Sequence, residues 1–320
     1  MNTKFIKIFI SLIFTSLYFE CASAYTEVDC YKYQGCIGVA GSGTPTNGNP
    51  SYGNQIKLNP SAVPTDEGFG FEGILYRNEV DVSLAKGTGR VGAAISPSNS
   101  EETFFGPPGL ELDEDLYQRK YAADKFASSK VTLATAVNLI KKGGDGLRSG
   151  SLNLGIMGKY NKLTKSTLPG AGLTATFGPF NFSTASYKDE TLIHYPDFYF
   201  LPDQIVKYNV KTYSWGLSLS SLLLDQSTLQ LFFDDSDEKW TVHITTLSLM
   251  VKKMIITASK RSEESSRAAY NFKTKMLDYI EVKEDVFGGF QFHATKNLMV
   301  GVLYNYYMLH ETSITATIFL

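Results

Sequence analysis

The chain has 320 residues, of which 19% are charged and 13% aromatic, and its formal net charge is -2. So balanced a charge gives no electrostatic footprint for nucleic acid or an acidic partner. No apolar run beyond the N-terminus is long enough for a transmembrane helix, and no linker divides the chain into domains.

Lys4 and Lys7 precede an apolar run from Ile8 to Phe19, and Ala22-Ser23-Ala24 makes a small-x-small cleavage site. Residues 1–24 therefore read as a secretory signal peptide. Cys21 follows Glu20 rather than a small residue, which argues against a lipid-attachment site. Beyond it stand Cys30 and Cys36 with five residues between them, the spacing of a local disulfide in an exported chain. Two thiolates with no His nearby do not complete a zinc shell.

Residues 25–67 are rich in Gly, Pro and Asn and lack sustained periodicity, so they form either a periplasmic tail or a plug folded into the remainder of the chain. Within them stands Leu58-Asn59-Pro60-Ser61-Ala62. It resembles the Asn-Pro-Ala element ahead of the barrel in the FadL-type transporters of long-chain fatty acids and hydrocarbons, with Ser61 in place of an Ala. The resemblance implies that Asn59 and Pro60 belong to a hatch, residues 54–67, that enters the barrel.

Alternation of period two then begins. Phe69, Phe71 and Leu75 oppose Gly70, Glu72 and Tyr76, and Val80, Val82 and Leu84 oppose Asp81 and Ser83. Lys86-Gly87-Thr88-Gly89 reads as a hairpin turn into Val91, Ala93 and Ile95, since no helix pattern or Lys-Ser/Thr ending makes it a phosphate loop. Residues 97–129 form a long charged loop, in which Leu112, Leu116 and Tyr117 have the spacing of a short amphipathic helix. The clearest hairpin is next: Val131, Leu133, Val137 and Leu139 alternate with Thr132, Ala134, Ala136 and Asn138. After a Gly-rich turn, Leu152, Leu154, Ile156 and Tyr160 oppose Ser151, Asn153, Met157 and Lys159. Two-faced strands of about ten residues suit the crossing of a hydrocarbon layer at a tilt.

Leu173 to Phe177 and Phe180 to Lys188 flank a Gly178-Pro179 turn, and Asp189 to Val206 reads as a second long loop. Its Phe198, Tyr199, Phe200 and Leu201 are candidates for gathering an apolar ligand at the barrel rim, the alternative being a membrane-interface girdle. Tyr213, Trp215, Leu217 and Leu219 face away from Thr212, Ser214, Gly216 and Ser218. Leu222 to Phe233 has weak alternation, and Asp234 to Glu238 is an acidic turn without the ligand order of a calcium loop. A parity change between Trp240, Val242, Ile244 and Leu247, Leu249, Val251 predicts a bulge. Met254 to Arg261 is a strand, Ser262 to Met276 a polar loop, and Leu277 to Ala294 one long strand. Leu298 to Leu309 and Ser313 to Leu320 complete the set.

The fold expected is all-β: a transmembrane antiparallel barrel over residues 68–320 with about fourteen strands, twelve or sixteen being the alternatives because Leu222 to Phe233 is weak. That count sends both long loops to the extracellular side. The final strand ends as bacterial outer-membrane proteins do for their assembly machinery, except that Leu320 is last and the aromatic Phe319 stands one step early. His194, His243, His293 and His310 are scattered, and no triad order, HExxH spacing, nucleotide, haem or metal signature appears. The expected function is therefore not enzymatic and needs no cofactor. It is an outer-membrane channel, embedded in lipid, for small hydrophobic solutes. The alternatives are a general porin lined by charges such as Asp81, Arg90, Lys159 and His243, or a structural or adhesion barrel displaying loops 97–129 and 189–206.

Overall fold

The computed structural model describes residues 54–76, 79–97, 130–142, 150–195, 204–219, 224–234, 239–251, 254–265, 268–271, 276–279, 283–295, 297–306 and 313–320. Two short 3-10 helices, η1 (Asn54–Lys57) and η2 (Pro60–Ala62), precede the strands. The strands are β1 (Gly68–Tyr76), β2 (Glu79–Gly87), β3 (Val91–Ser96), β4 (Lys130–Lys142), β5 (Gly150–Asn161), β6 (Ser166–Phe177), β7 (Phe180–Tyr195) and β8 (Gln204–Leu219). They continue as β9 (Leu224–Phe233), β10 (Lys239–Val251), β11 (Met254–Ser265), β12 (Ala268–Asn271), β13 (Met276–Tyr279), β14 (Lys283–His293), β15 (Leu298–Asn305) and β16 (Ser313–Phe319).

Each barrel strand pairs antiparallel with its neighbour, and β1 closes on β16, so fourteen strands form a closed barrel; β12 and β13 make a separate hairpin. Closure leaves no edge among the barrel strands. The start of β1 and the end of β16 share one end of the barrel, held by reciprocal backbone bonds between Phe69 and Leu320. The segments 97–129, 196–203 and 266–282 all join strands at the opposite end.

Alternation decides which way each side chain points, and the barrel turns the usual globular order outward. Leu133, Leu154, Ile156, Trp215, Leu217, Phe290 and Ile314 stand exposed on the outer wall, while Thr132, Asn153, Ser183, Ser214, Thr257 and Thr315 are buried inside. The β4–β5 hairpin has the two faces its sequence describes. Asn138 and Ile140 flank a register shift on β4, which leaves Leu139 and Ile140 both exposed.

Several expected limits are corrected. No bulge interrupts β10: its ladders to β9 and β11 run without a shift from Lys239 to Leu247 and from Trp240 to Val251. Val242 and Ile244 therefore point inward, into an apolar cluster with Val210, Leu229, Phe233, Phe287, Leu303 and Ile74, and His243 points outward. The parity change reflects an apolar patch inside the barrel, not an extra residue. β7 continues past Lys188 to Tyr195 because Thr191 to Tyr195 ladder onto Gln204 to Tyr208 of β8. The barrel strand expected from Leu277 begins only at Lys283, because Met276 to Tyr279 pairs instead with Ala268 to Asn271. β11 likewise runs on to Ser265.

Candidate functional site

Residues 54–66 lie inside the barrel, and the site is built around their turn. Asn59 has an extended backbone (φ -140°, ψ 104°) and caps η2, whose first residue is Pro60. The residue types dictate this: Asn is a preferred cap, and Pro is preset for the first helical position, where no N–H is needed. The Asn59 Oδ1 accepts from the Ser61 backbone N–H at 3.1 Å and from the Ser61 hydroxyl at 2.6 Å. Ser61, the departure from the Asn-Pro-Ala element, also shares a 2.6 Å hydrogen bond with the Thr174 hydroxyl of β6. The hydroxyl thus ties the turn to the wall.

The wall is shaped to receive that turn. A Cβ at Gly155 would lie 2.3 Å from the Pro60 carbonyl carbon and the Ser61 nitrogen, and one at Gly172 would lie 2.1 Å from Asn59 Oδ1. Both glycines face inward, and only a residue without a side chain lets backbone approach so closely. Ile56, Leu58 and Val63 pack with Ala85, Ala94, Ala134, Ala136, Met157, Tyr187, Met299 and Phe319 in one buried cluster. Small inward Ala residues leave the room that the segment fills. Phe319, one step early for a terminal aromatic, points into this cluster instead of outward. Asp66 at the end of the segment pairs with Lys141 of β4.

Above this seat, towards the loop end, β4, β5 and β7 bring charges together. Asp189 accepts from Lys130 Nζ at 2.6 Å and from Lys159 Nζ at 2.8 Å, with both lysine side chains buried. Lys130 donates in addition to the Glu190 carbonyl at 2.8 Å, and the Lys159 ammonium lies 4.2 Å from the centre of the Tyr187 ring. Glu190 turns to the β5–β6 turn, where Asn161, Thr164 and Ser166 donate to its carboxylate at 2.8–2.9 Å. Two adjacent acids in β7 thus do separate work: one neutralises two lysines, the other pins a turn. Adjoining it, from Val210, the cross-strand partner of Asp189, lies the apolar cluster of Val210, Leu229, Phe233, Val242, Ile244 and Phe287. The interior consequently has a filled seat near the start of β1 and the end of β16, and an ionic wall and an apolar wall near the loops.

Of the residues singled out from sequence, Asn59, Pro60 and Lys159 come together in this interior. Arg90 stands exposed in the β2–β3 turn, and His243 is exposed on the outer wall with its Nδ1 2.9 Å from the Thr228 hydroxyl. His243 is thus no part of a lumen lining. Phe198, Tyr199, Phe200 and Leu201, the pair Cys30 and Cys36, and residues 98–129 of the loop 97–129 lie outside the described residues, as does the side chain of Asp81. The Gly155 and Gly172 seat, Asp189 and Glu190 were missed. An inward glycine between larger inward residues, such as Gly155 between Asn153 and Met157, is the sequence signal that could have found the seat.

Closed antiparallel barrel with an internal segment is the class that fold and site define. No protein-family model matches the chain, and no curated protein matches it. Among solved structures, it is similar to OmpT, an outer membrane protein of Vibrio cholerae, in its loop L8 deletion mutant, at 10% identity and TM-score 0.36 over 79% of this chain and 97% of that one. OmpT of Vibrio cholerae expressed in the outer membrane matches at 10% identity and TM-score 0.36, over 79% and 96%. Salmonella typhi OmpF in complex with daunomycin matches at 7% identity and TM-score 0.38, over 79% and 97%.

Proposed function

We propose that this barrel spans a bacterial outer membrane and acts as a channel, not an enzyme, for small hydrophobic solutes, with residues 54–67 as a hatch across its lumen. The observation that carries the reading is the seating of the Asn59–Pro60 turn against Gly155 and Gly172, which places chain where an open pore would hold water. The apolar outer wall suits contact with lipid hydrocarbon, and the strand ladders satisfy the rows of backbone groups that lipid could not. The apolar cluster around Phe233, Val242 and Ile244 is packed shut in this structure, and a hydrophobic solute that parted it would gain about 25 cal/mol per Å² covered where an ionic one would gain nothing. The general porin is supported less well, since Lys130 and Lys159 are buried against Asp189 rather than presented to water. The C-terminal strand β16 would be the part read by the assembly machinery. No cofactor, metal or nucleic acid enters the reading.

Uptake in cells tests it. Cells carrying the chain should accumulate a small aromatic hydrocarbon faster than cells lacking it, with the flux of a small sugar unchanged. A faster sugar flux with unchanged hydrocarbon uptake would replace the reading with the porin.

A further inference from the structure

On the outside of the barrel, towards the loop end, β7 and β8 set two like charges side by side. Lys188 and Lys211 stand directly opposite each other in the ladder, on the outward face, and both are exposed. Below them, row by row, that face carries Ser186 with Tyr213, Thr184 with Trp215, Phe182 with Leu217 and Phe180 with Leu219. Phe180, Phe182, Trp215 and Leu217 are large exposed apolar groups, so the two lysines cap a mostly apolar strip. The Lys211 ammonium lies 4.9 Å from the centre of the Tyr213 ring, and Tyr213 meets Phe232 edge-on at 5.7 Å. Two further lysines come from the β5–β6 turn. Glu190, at the next position on that side of β7, accepts from Thr164 and Ser166, which holds the turn with its exposed Lys162 and Lys165 against the same part of the strand.

Like charges directly opposite on one face of a sheet destabilise it. Among the described residues, no carboxylate forms an ion pair with Lys162, Lys165, Lys188 or Lys211. Asp189 is engaged inside the barrel by Lys130 and Lys159, and Glu190 is buried against the turn. Asp234, exposed at the end of β9, donates its backbone N–H to the Asn209 carbonyl of β8, and its carboxylate pairs with neither lysine. Residues 235–238 of that acidic turn lie outside the described residues. We infer that the Lys188–Lys211 pair is a binding site for a lipid with an anionic phosphate headgroup, an inference that rests on the membrane-spanning reading above. A phosphate between two ammonium groups replaces their repulsion with two attractions. The strip below selects a lipid over a soluble anion, because acyl chains can lie on Trp215, Leu217 and Phe182 while the phosphate holds the lysines. Lysine stems reach a headgroup from the edge of an apolar wall, and a tyrosine beneath them suits the same interface.

Trp215, on the same outward face of β8 as Lys211, reports on the site. The test uses the full chain with Trp240→Phe, which leaves Trp215 of the two tryptophans in the sequence. This protein is refolded into phosphatidylcholine vesicles holding a minor fraction of lipid brominated on its acyl chains. Brominated phosphatidylglycerol should quench Trp215 more than brominated phosphatidylcholine at the same mole fraction, with a relative association constant about fivefold higher, the effect of one lysine on an anionic lipid surface. With Lys188→Gln and Lys211→Gln added, the two lipids should quench alike. If that variant lacks the heat-modifiable folded band, Lys188→Gln alone gives the same reading and leaves the Lys211 contact with Tyr213 in place. Equal quenching with both lysines present, or a preference that survives their loss, would overturn the site and leave the membrane reading standing. Trp215 quenched by neither lipid would overturn the membrane reading first and the site with it.

Discussion

Asp189→Asn is expected to destabilise the folded barrel by about 3–5 kcal/mol, the range for removing one partner from a buried ionic group. Asp189 faces two ammonium groups, at 2.6 and 2.8 Å, and both lysines are almost wholly buried. An amide keeps the shape and part of the hydrogen bonding, but it leaves Lys130 and Lys159 as like charges held close together inside the wall. Lys130→Met should cost much less, because the Lys159–Asp189 pair survives and a flexible apolar chain fills the space. Replacing all three by apolar residues should restore most of the loss, since the desolvation of three charges disappears along with their attraction. Urea unfolding of the refolded protein in lipid vesicles, followed by tryptophan fluorescence, reads all four proteins. An Asp189→Asn variant within about 1 kcal/mol of wild type would contradict the burial of this cluster.

Gly155→Leu is expected to open the barrel without unfolding it. The new Cβ alone would stand 2.3 Å from two backbone atoms of the Pro60–Ser61 turn, and backbone cannot rotate away as a side chain can. The ladder of β5 to its neighbours runs on both sides of Gly155, with Ala136 and Gly172 opposite, so the wall yields less readily than the segment seated on it. The turn should leave its seat, and vesicles carrying the variant should leak small sugars that the wild type retains. Gly288→Leu is the matched control. That glycine faces outward with nothing within 4 Å of its Cβ position, and its variant should retain sugars as the wild type does. A tight Gly155→Leu barrel would mean that the segment does not close the lumen.

How much of the fold is legible in the sequence depends on where polarity changes face. In the β4–β5 hairpin the outer face is apolar and the inner face is polar or small, so Leu154, Ile156 and Tyr160 separate cleanly from Asn153, Met157 and Lys159. The same rule misreads β10, because Val242 and Ile244 are apolar and inward while Thr241 and His243 are polar and outward. There the strand's direction is set by ladder register and not by hydrophobicity. Asp189 and Glu190 read as the start of a loop because their partners are distant in sequence: Lys130 lies 59 residues from Asp189 and Lys159 lies 30. Acids paired so remotely leave no local pattern. The Asn59–Pro60 segment stands out in the sequence only through its resemblance to the Asn-Pro-Ala element, and its seat does not stand out at all, because a glycine's use depends on what approaches it.

Single-channel conductance in a planar bilayer tests the central claim most directly, comparing the intact protein with a variant lacking residues 25–66. The intact barrel should be silent and the shortened one should conduct in steady steps, since the deletion removes Asn59, Pro60 and Ser61 from between Gly155, Gly172 and Thr174. Steady conductance from the intact protein, equal to that of the shortened one, would contradict a hatch.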